Sequence, residues 1–284
     1  MAATAYERAG KDGTVTKDGA VTMDSTVTRS DTVADAQRAR PISLGFTPGD
    51  AVVVTGAGSG IGRATARNAA AMGLAVAAWD LNTAGVAETV TEIKDSGGTA
   101  LALTADVTDD AQVRAALSAS AELGELRYLV NNAGPASSSD VEFDRALAIC
   151  AGSMHRVATH WLALGRLEGA SLVNLASVAG NVIGTAPDWY PAAKAAITGY
   201  TRHLAAYRSA DVRANAVAPG MTDTPRLTGF SASETGQRVL ARLPLGRMAT
   251  PDEISWAILF LLSPLASYVN GALLVVDGGW TVTQ

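Results

Sequence analysis

Tyr190 and Lys194 stand four positions apart in the stretch "DWYPAAK", a spacing that could support proton transfer. Residues four apart on a helix share one face, and Pro191 suits the first turn of a helix because its missing N–H has no intrahelical partner there. Free tyrosine is a poor acid or base at neutral pH, with a pKa near ~10, but a neighbouring ammonium favours the ionised phenol. Taken alone, the pair fits a surface tyrosine beside a solvated lysine at least as well, so the other motifs must decide.

Ser177 supplies a third group of the same chemistry, thirteen residues before Tyr190 at the end of the apolar run "ASLVNLAS". A hydroxyl at the carboxyl end of a strand can donate a hydrogen bond to a substrate oxygen on which charge develops. Hydride transfer from a secondary alcohol also requires a proton acceptor whose pKa lies near the operating pH. With Lys194, these residues predict a catalytic centre for alcohol oxidation or ketone reduction.

A glycine-rich loop, "TGAGSGIG", stands between an apolar run typical of a strand and an alanine-rich run typical of a helix. Glycines permit positive φ and remove the Cβ atoms that would block a pyrophosphate, and the following helix offers its free N–H groups to that anion. A lone loop of this kind could be a tight turn without a ligand, but its context between a strand and a helix favours a dinucleotide site. The predicted cofactor-binding residues of the loop are Gly56, Gly58, Ser59, Gly60, Ile61 and Gly62.

Asp80 closes the second apolar run, within the ~20 residues expected after such a loop. A carboxylate there can accept hydrogen bonds from the adenosine ribose hydroxyls and would repel a 2′-phosphate. Neither position 59 nor position 81 holds an arginine or lysine that could counter the repulsion. The sequence therefore predicts NAD rather than NADP as the cofactor, the alternative being a solvated aspartate at a strand end.

Short apolar runs alternate with helical patterns from Phe46 onward, and this alternation predicts right-handed βαβ units. The expected fold is a single doubly wound α/β Rossmann domain over residues 47–284, with a parallel sheet of about seven strands and helices on both faces. Residues 1–46 repeat single valines every six positions among Thr, Asp, Gly and Ser. That composition predicts a flexible, low-complexity N-terminal tail.

Composition narrows the class of protein further. The chain of 284 residues is 48% hydrophobic and 17% charged, with a formal net charge of −5, so it has no basic excess that would favour nucleic acid or an anionic membrane. The single cysteine, Cys150, excludes an internal disulfide and a cysteine-based structural metal site. The tail has no apolar segment typical of a secretory signal, and we expect a cytoplasmic protein without a bound metal.

The motifs taken together resemble those of the short-chain dehydrogenase/reductases. "TGAGSGIG", "DV", "NNAG", "NLASVAG", "YPAAK" and "APG" occur in that family's order, over nearly everything after the tail. Six motifs in order are highly specific, whereas any one alone is not. The stretch from "LPLGRM" to the end is similar to bacterial alcohol-oxidising and ketoacyl-reducing members.

The resemblance implies a role for each matching residue. Ser177 matches the serine that polarises the substrate, Tyr190 the general acid/base, and Lys194 the lysine that binds the nicotinamide ribose and acidifies the phenol. The remaining matches imply contacts with NAD: Asp106 and Val107 at the adenine, Asn132, Ala133 and Gly134 along the cofactor, then Pro219 and Gly220, followed by Thr222 and Thr224 on the side of the carboxamide and phosphates.

One position departs from the family pattern. Cys150 stands in the fourth helix, predicted over 141–165, where the family usually carries an asparagine that bends the helix and holds a water for proton relay to the lysine. Cysteine is a weak donor and acceptor and usually packs as a small hydrophobe. The relay is therefore in question here, and we expect a buried, inert thiol.

We expect an NAD-dependent oxidoreductase for a secondary alcohol or its ketone. The predicted lid over 221–244 mixes apolar and polar side chains, which suggests a medium-sized, partly apolar substrate such as an alicyclic, steroid-like or hydroxyacyl alcohol. The alternatives are a 3-oxoacyl thioester reductase, which Asp80 disfavours, and a non-catalytic dinucleotide sensor, which the intact catalytic residues disfavour. The resemblance also implies a homotetramer.

Overall fold

A computed structural model describes residues 43–283 of the chain. The six-residue repeat and residues 1–42 of the predicted tail lie outside the described part. Leu44 and Phe46, which the prediction assigned to the tail, pack against the core, and the ring of Phe46 lies edge-on to Tyr128 at 5.2 Å. The predicted boundary at residue 46 thus falls within a segment that contacts the folded domain.

The described chain forms one sheet of seven parallel strands in the order β3-β2-β1-β4-β5-β6-β7. This order, with its reversal between β1 and β4, is that of a doubly wound dinucleotide fold, and it confirms the predicted fold class. Ligands of such sheets bind outside the carboxyl ends of the strands at the reversal. The strands are β1 (Ala51–Thr55), β2 (Ala75–Asp80), β3 (Ala100–Thr104), β4 (Tyr128–Asn131), β5 (Ser171–Leu175), β6 (Arg213–Pro219) and β7 (Leu273–Val276).

Helices connect the strands and cover both faces of the sheet. Most occupy the runs that the sequence predicted, but the long fourth helix is divided by a π-helical turn at Ala148–Gly152. The helices are α1 (Gly60–Ala71), α2 (Thr83–Asp95), α3 (Asp110–Ser120), α4 (Phe143–Leu147), α5 (Ser153–Leu162), α6 (Trp189–Tyr207), α7 (Glu234–Leu240) and α8 (Pro251–Leu262). No helix in residues 43–283 is both long and apolar enough to cross a bilayer.

Two apolar layers hold the helices to the sheet. Alternate side chains of a strand point to opposite faces, and all five residues of β1 are buried, as expected of a central parallel strand covered on both sides. Val52 and Val54 join the layer that includes Ile258 of α8, whereas Val53 joins the opposite layer with Leu117 of α3. The carboxyl ends of the central strands are thereby fixed in position for the site.

Arg213, at the start of β6, covers the carboxyl end of α8. Its two terminal nitrogens donate to the carbonyl oxygens of Leu261 and Leu262 at 3.0 Å, and to those of Ser263 and Val269 at 3.1 Å. The last carbonyls of a helix have no intrahelical partner and carry partial negative charge. The half-buried guanidinium is stabilised by donating to these oxygens, although its partial burial lowers the pKa of Arg213.

We predict that Arg213→Ala lowers the free energy of unfolding by about 2–4 kcal/mol, because several partly buried carbonyls lose a charged donor. Arg166→Ala, at an exposed position in the segment after α5, is the matched control and should change stability by less than about 0.5 kcal/mol. Urea denaturation followed by circular dichroism measures both. Equal midpoints for Arg213→Ala and wild type would show that this guanidinium does not stabilise the fold.

Candidate active site

The glycine loop joins β1 to α1 at the point where the sheet reverses. Gly56 has a φ of 67°, in the region that favours glycine. A Cβ on Gly62 would lie 2.0 Å from the carbonyl oxygen of Gly56, a distance that backbone atoms do not tolerate. The glycines are therefore required by the close packing of the loop on the first turn of α1.

The amino end of α1 is open to a ligand. The first N–H groups of a helix have no partner within it, and the side chain of Ser59, which precedes α1, makes no capping hydrogen bond. Ser59, Gly60 and Ile61 all line the same cavity. This arrangement fits an anion such as a pyrophosphate, since the free amides and the helix dipole both favour negative charge.

Asp80 lies at the carboxyl end of β2 and is tied to the glycine loop. One carboxylate oxygen accepts from the amide of Gly58 at 2.8 Å, and the other accepts from the amide of Asn82 at 2.8 Å. Each carboxylate oxygen can accept a further hydrogen bond. The side chain is therefore fixed in orientation yet retains acceptor capacity for a ribose hydroxyl.

Buried asparagines connect the ends of β4 and β5 to α6. Asn131 donates to the side-chain oxygen of Asn174 at 3.0 Å, and Asn174 donates to the hydroxyl of Thr201 on α6 at 2.9 Å. Asn132, the next residue, donates to the carbonyl oxygens of Thr55 and Gly56 at 3.0 and 3.1 Å. The "NNAG" segment therefore fixes the glycine loop on one side, and through Asn174 it positions the helix with the predicted catalytic pair on the other.

Ser177 and Lys194 are held together through Asn181. The side-chain nitrogen Nδ2 of Asn181 donates to the carbonyl oxygens of Ser177 at 2.9 Å and Lys194 at 3.2 Å. A Cβ on Gly180 would lie 1.9 Å from the carbonyl oxygen of Pro191, so only glycine allows this loop to pack on the first turn of α6. The sequence analysis did not identify Asn181, whose role becomes visible only when β5 and α6 are placed side by side.

Tyr190 and Lys194 share a face of α6, as their spacing predicted. The Lys194 ammonium lies 5.7 Å from the centre of the Tyr190 ring and donates to the carbonyl oxygen of Leu175 at 2.9 Å. The hydroxyl of Ser177, 8% exposed, accepts from the amide of Ala179 at 3.1 Å. Its own proton is therefore available for donation to a substrate oxygen.

One cavity brings most of the predicted residues together. Its lining includes twelve of them: Gly56, Ser59, Gly60, Ile61, Asn132, Ser177, Tyr190, Lys194, Pro219, Gly220, Thr222 and Thr224. The catalytic and phosphate-binding motifs, which are distant in sequence, thus meet in a single space. This convergence is the main structural support for a common function.

The other predicted residues lie around the cavity rather than in its lining. Gly58 contacts Asp80, and Gly62 is packed beneath the loop. Asp106 follows β3, where its carboxylate accepts from the amide of Thr108 at 2.8 Å, and Val107 is buried. Ala133 and Gly134 continue from Asn132. Their contacts with NAD remain predictions.

The beginning of the predicted lid lies against the cavity and adds Arg226, which the sequence analysis did not single out. A Cβ on Gly60 would lie 3.1 Å from a methyl carbon of Thr224, so the lid reaches the glycine loop. Arg226 and Leu227 line the cavity, and Arg226 donates to the carbonyl oxygen of Gly134 at 2.7 Å. Leu243, near the end of the predicted lid, is buried and lines a separate cavity. The composition of the lid alone does not indicate which of its residues face the active-site cavity.

Cys150 lies in the middle of the π-helical turn and is 3% exposed. It packs with Ala146, Trp189 and Ala193. Trp189 is therefore a buried packing residue next to Tyr190. Burial raises the pKa of the thiol, while Lys194 and Arg226 act in the opposite direction. The irregular helix thus forms without asparagine, and the thiol is buried, as expected.

The histidines of the fourth helix have separate surroundings. The ring centres of His155 and Tyr200 lie 5.3 Å apart, and Nε2 of His160 lies 2.6 Å from a carboxylate oxygen of Asp110. Among residues 43–283, no group of three or more His, Cys, Asp or Glu side chains could hold a metal ion. His155 therefore packs on an aromatic ring of α6, and His160 makes a surface contact with α3.

The fold and the site define a dinucleotide-binding α/β protein. A family model described as enoyl-(acyl carrier protein) reductase matches residues 56–281. Cis-4-hydroxycyclohexanecarboxylate dehydrogenase of Sinomonas cyclohexanicum is 41% identical over 245 residues, which cover 81% of this chain and 95% of that protein. Cyclohexanol dehydrogenase of Acinetobacter sp. (strain SE19) is 35% identical over 242 residues, which cover 81% and 94%.

A solved structure shows the same likeness. 7α-Hydroxysteroid dehydrogenase, complexed with NADH and 7-oxo glycochenodeoxycholic acid, has a TM-score of 0.77 and 31% identity, covering 84% of this chain and 96% of that one. The chain belongs to the short-chain dehydrogenase/reductase family, which confirms the predicted resemblance. It is an oxidoreductase that acts on a CH–OH group of a small molecule with a nicotinamide dinucleotide.

Proposed function

We propose that the protein is an NAD-dependent dehydrogenase of a medium-sized, partly apolar secondary alcohol, with a ring as its apolar part. The observation that carries this proposal is the single cavity that joins the open end of α1 to Ser177, Tyr190 and Lys194. Such a cavity can bind a dinucleotide along the carboxyl ends of the strands and a small alcohol beside its reactive ring.

Each catalytic side chain has a defined part in the proposed reaction. When bound, oxidised NAD would supply the acceptor for the hydride that leaves the carbinol carbon. Tyr190, as general base, accepts the proton of the substrate hydroxyl. Loss of the hydride and of this proton together converts the alcohol to a ketone. Lys194, whose ammonium lies 5.7 Å from the centre of the Tyr190 ring, would donate to the nicotinamide ribose. Ser177 donates to the substrate oxygen and holds it in reach of the phenol.

The relatives support a ring alcohol. Two of them are named for cyclohexane derivatives, and the solved structure contains a bile-acid ketone. In this chain, Pro135, Ala136 and Leu227 add apolar atoms to the cavity next to its polar catalytic groups. Apolar walls with a few polar groups are typical of sites for substrates of this kind. A 3-oxoacyl thioester reductase remains the alternative enzyme.

NAD preference is supported by Asp80. Its carboxylate is held beside the glycine loop by the amide of Gly58 and would repel a 2′-phosphate. Arg63 approaches the same loop and donates to the carbonyl oxygen of Gly58 at 2.7 Å. Its charge is countered by Glu88 at 2.6 Å and Glu92 at 3.4 Å, so it offers little attraction to an added phosphate.

We predict that replacing Asp80 by Ala and Leu81 by Arg raises the NADP-to-NAD ratio of kcat/KM by about 10²–10³, since removing a like charge is worth several kcal/mol. Leu81 is 66% exposed, so the arginine is accommodated without repacking. Leu81→Gln alone is the control and should keep the NAD preference. Steady-state rates with each cofactor measure the ratio, and a wild type that uses NADP as well as NAD would contradict the assignment to Asp80.

A homotetramer in the cytoplasm is part of the proposal. α6 carries exposed aromatic side chains, and the ring centres of His203 and Tyr207 lie 5.2 Å apart. Aromatic side chains are enriched where subunits contact each other, so this surface supports an assembly through α6. Sedimentation velocity would determine the subunit number. A monomer at micromolar concentration would contradict the proposed assembly.

A substrate screen tests the proposed activity. Cyclic and open-chain secondary alcohols are each incubated with NAD and, separately, with NADP, and nicotinamide absorbance is followed. We expect reduced NAD with cyclic alcohols. A protein that binds NAD but reduces it with no alcohol, and oxidises NADH with no ketone, would be a dinucleotide-binding sensor instead.

A further inference from the structure

Arg226 gives the active-site cavity a positive charge that hydride transfer to NAD does not require. The charged residues among those that line the cavity are Lys194 and Arg226, both cations, and no acidic residue is among them. A concave site lined by one sign of charge concentrates ligands of the opposite sign. The described lining therefore favours a substrate with a negative group in addition to its hydroxyl.

The guanidinium of Arg226 is held in place without being neutralised. Its terminal nitrogens donate to the carbonyl oxygens of Gly134 at 2.7 Å and Pro135 at 3.5 Å. No carboxylate in residues 43–283 forms an ion pair with it. A guanidinium has more N–H donors than these two bonds use, and its planar fork matches a carboxylate.

Arg226 also lies near the reacting groups. It lines the same cavity as Ser177, Tyr190 and Lys194. Lys194 itself is engaged with the carbonyl oxygen of Leu175 and, in the proposed function, with the nicotinamide ribose. Arg226 is thus the cation left for the substrate.

We propose that Arg226 binds a carboxylate of the substrate, so that the enzyme selects alicyclic hydroxy acids over neutral ring alcohols. This inference rests on the proposed function. The hydroxyl lies at Ser177 and Tyr190, the ring lies against the apolar lining, and the carboxylate accepts hydrogen bonds from Arg226. Arg226 is then a specificity-determining residue that does not take part in hydride or proton transfer.

A pair of substrates that differ only in the anion tests the proposal. Wild type and Arg226→Gln are assayed with NAD and either cis-4-hydroxycyclohexanecarboxylate or cyclohexanol. We expect kcat/KM for the carboxylate to fall by about 10- to 100-fold in the variant, the range for a lost charged hydrogen bond. The value for cyclohexanol should change by less than about threefold, and Arg226→Lys should retain part of the preference, since lysine keeps the charge but lacks the fork.

Arg238→Gln is the matched control, because Arg238 lies on α7 of the same lid and is not among the residues that line the cavity. It should leave the ratio of the two substrates unchanged. An equal loss for both substrates in Arg226→Gln would overturn the inference and leave the dehydrogenase function intact. So would a higher KM for NAD without a change in the ratio, since Arg226 would then bind the cofactor. A wild type inactive on both alcohols would overturn the proposed function and this inference together.

A binding measurement separates recognition from turnover. Cyclohexanecarboxylate, which lacks the hydroxyl, is titrated calorimetrically into wild type and Arg226→Gln, each saturated with NAD. We expect binding to wild type and at least tenfold weaker binding to the variant. Equal affinities would show that Arg226 does not recognise the carboxylate.

Discussion

Tyr190→Phe is expected to lower kcat by about 10²–10⁴, the range for losing a positioned acid–base group. Tyr190 lines the cavity with Ser177, and the Lys194 ammonium lies 5.7 Å from the centre of its ring. Phenylalanine keeps the ring and its packing against Trp189, which lies 5.5 Å away, but it has no hydroxyl to accept the proton. Steady-state oxidation of a cyclic alcohol with NAD measures the loss.

The affinity for NAD should change little in the same variant, because the glycine loop and Lys194 are untouched. Tyr268→Phe is the control, since Tyr268 lies outside the site and is fully exposed. It should retain wild-type rates and stability. A Tyr190→Phe variant that keeps most of its activity would show that another group transfers the proton.

Gly62→Ala is expected to reduce NAD affinity by more than 100-fold, or to prevent folding of the loop altogether. The added Cβ would lie 2.0 Å from the carbonyl oxygen of Gly56, well inside contact distance, so the backbone must move. The displaced backbone is the turn that opens the amino end of α1 to the pyrophosphate. Calorimetric titration with NAD measures affinity, and circular dichroism reports whether the variant folds.

Gly199→Ala is the matched control, because Gly199 lies within α6 and an added Cβ would meet nothing within 4 Å. Alanine in a helix interior is more favourable than glycine by about 0.5–1 kcal/mol, so this variant should be as stable as wild type or more so. Normal NAD binding by a folded Gly62→Ala protein would refute the idea that the loop holds the pyrophosphate.

The local patterns predicted the fold well, for identifiable physical reasons. Strands buried on both faces are rich in apolar residues, and β1 and β2, which are buried over almost their whole length, coincide with short apolar runs of that kind. Glycine at 56 and 62 is required by the close approach of a loop and a helix, so the motif itself carries the geometry. The four-residue spacing of Tyr190 and Lys194 likewise places both side chains on one face of α6.

Features that depend on contacts between distant segments were not predicted. The π-helical turn at Ala148–Gly152 interrupts a run that reads as one helix, because alanine, isoleucine and cysteine give no local signal for a wider turn. Asn181 and Arg226 act through backbone carbonyls of residues that are far apart in the sequence or on another loop. Such partners carry no pattern of side-chain types, so only the folded chain identifies them.

Isotope transfer tests the central claim most directly. Cis-4-hydroxycyclohexanecarboxylate carrying deuterium on the carbinol carbon is incubated with the protein and NAD, and the reduced cofactor is analysed by mass spectrometry. The account predicts NADH that has gained one deuterium from the substrate, together with the matching ketone, and formation of both slowed by about 10²–10⁴ with Tyr190→Phe. Recovery of the alcohol unchanged, or NADH without the label, would contradict it.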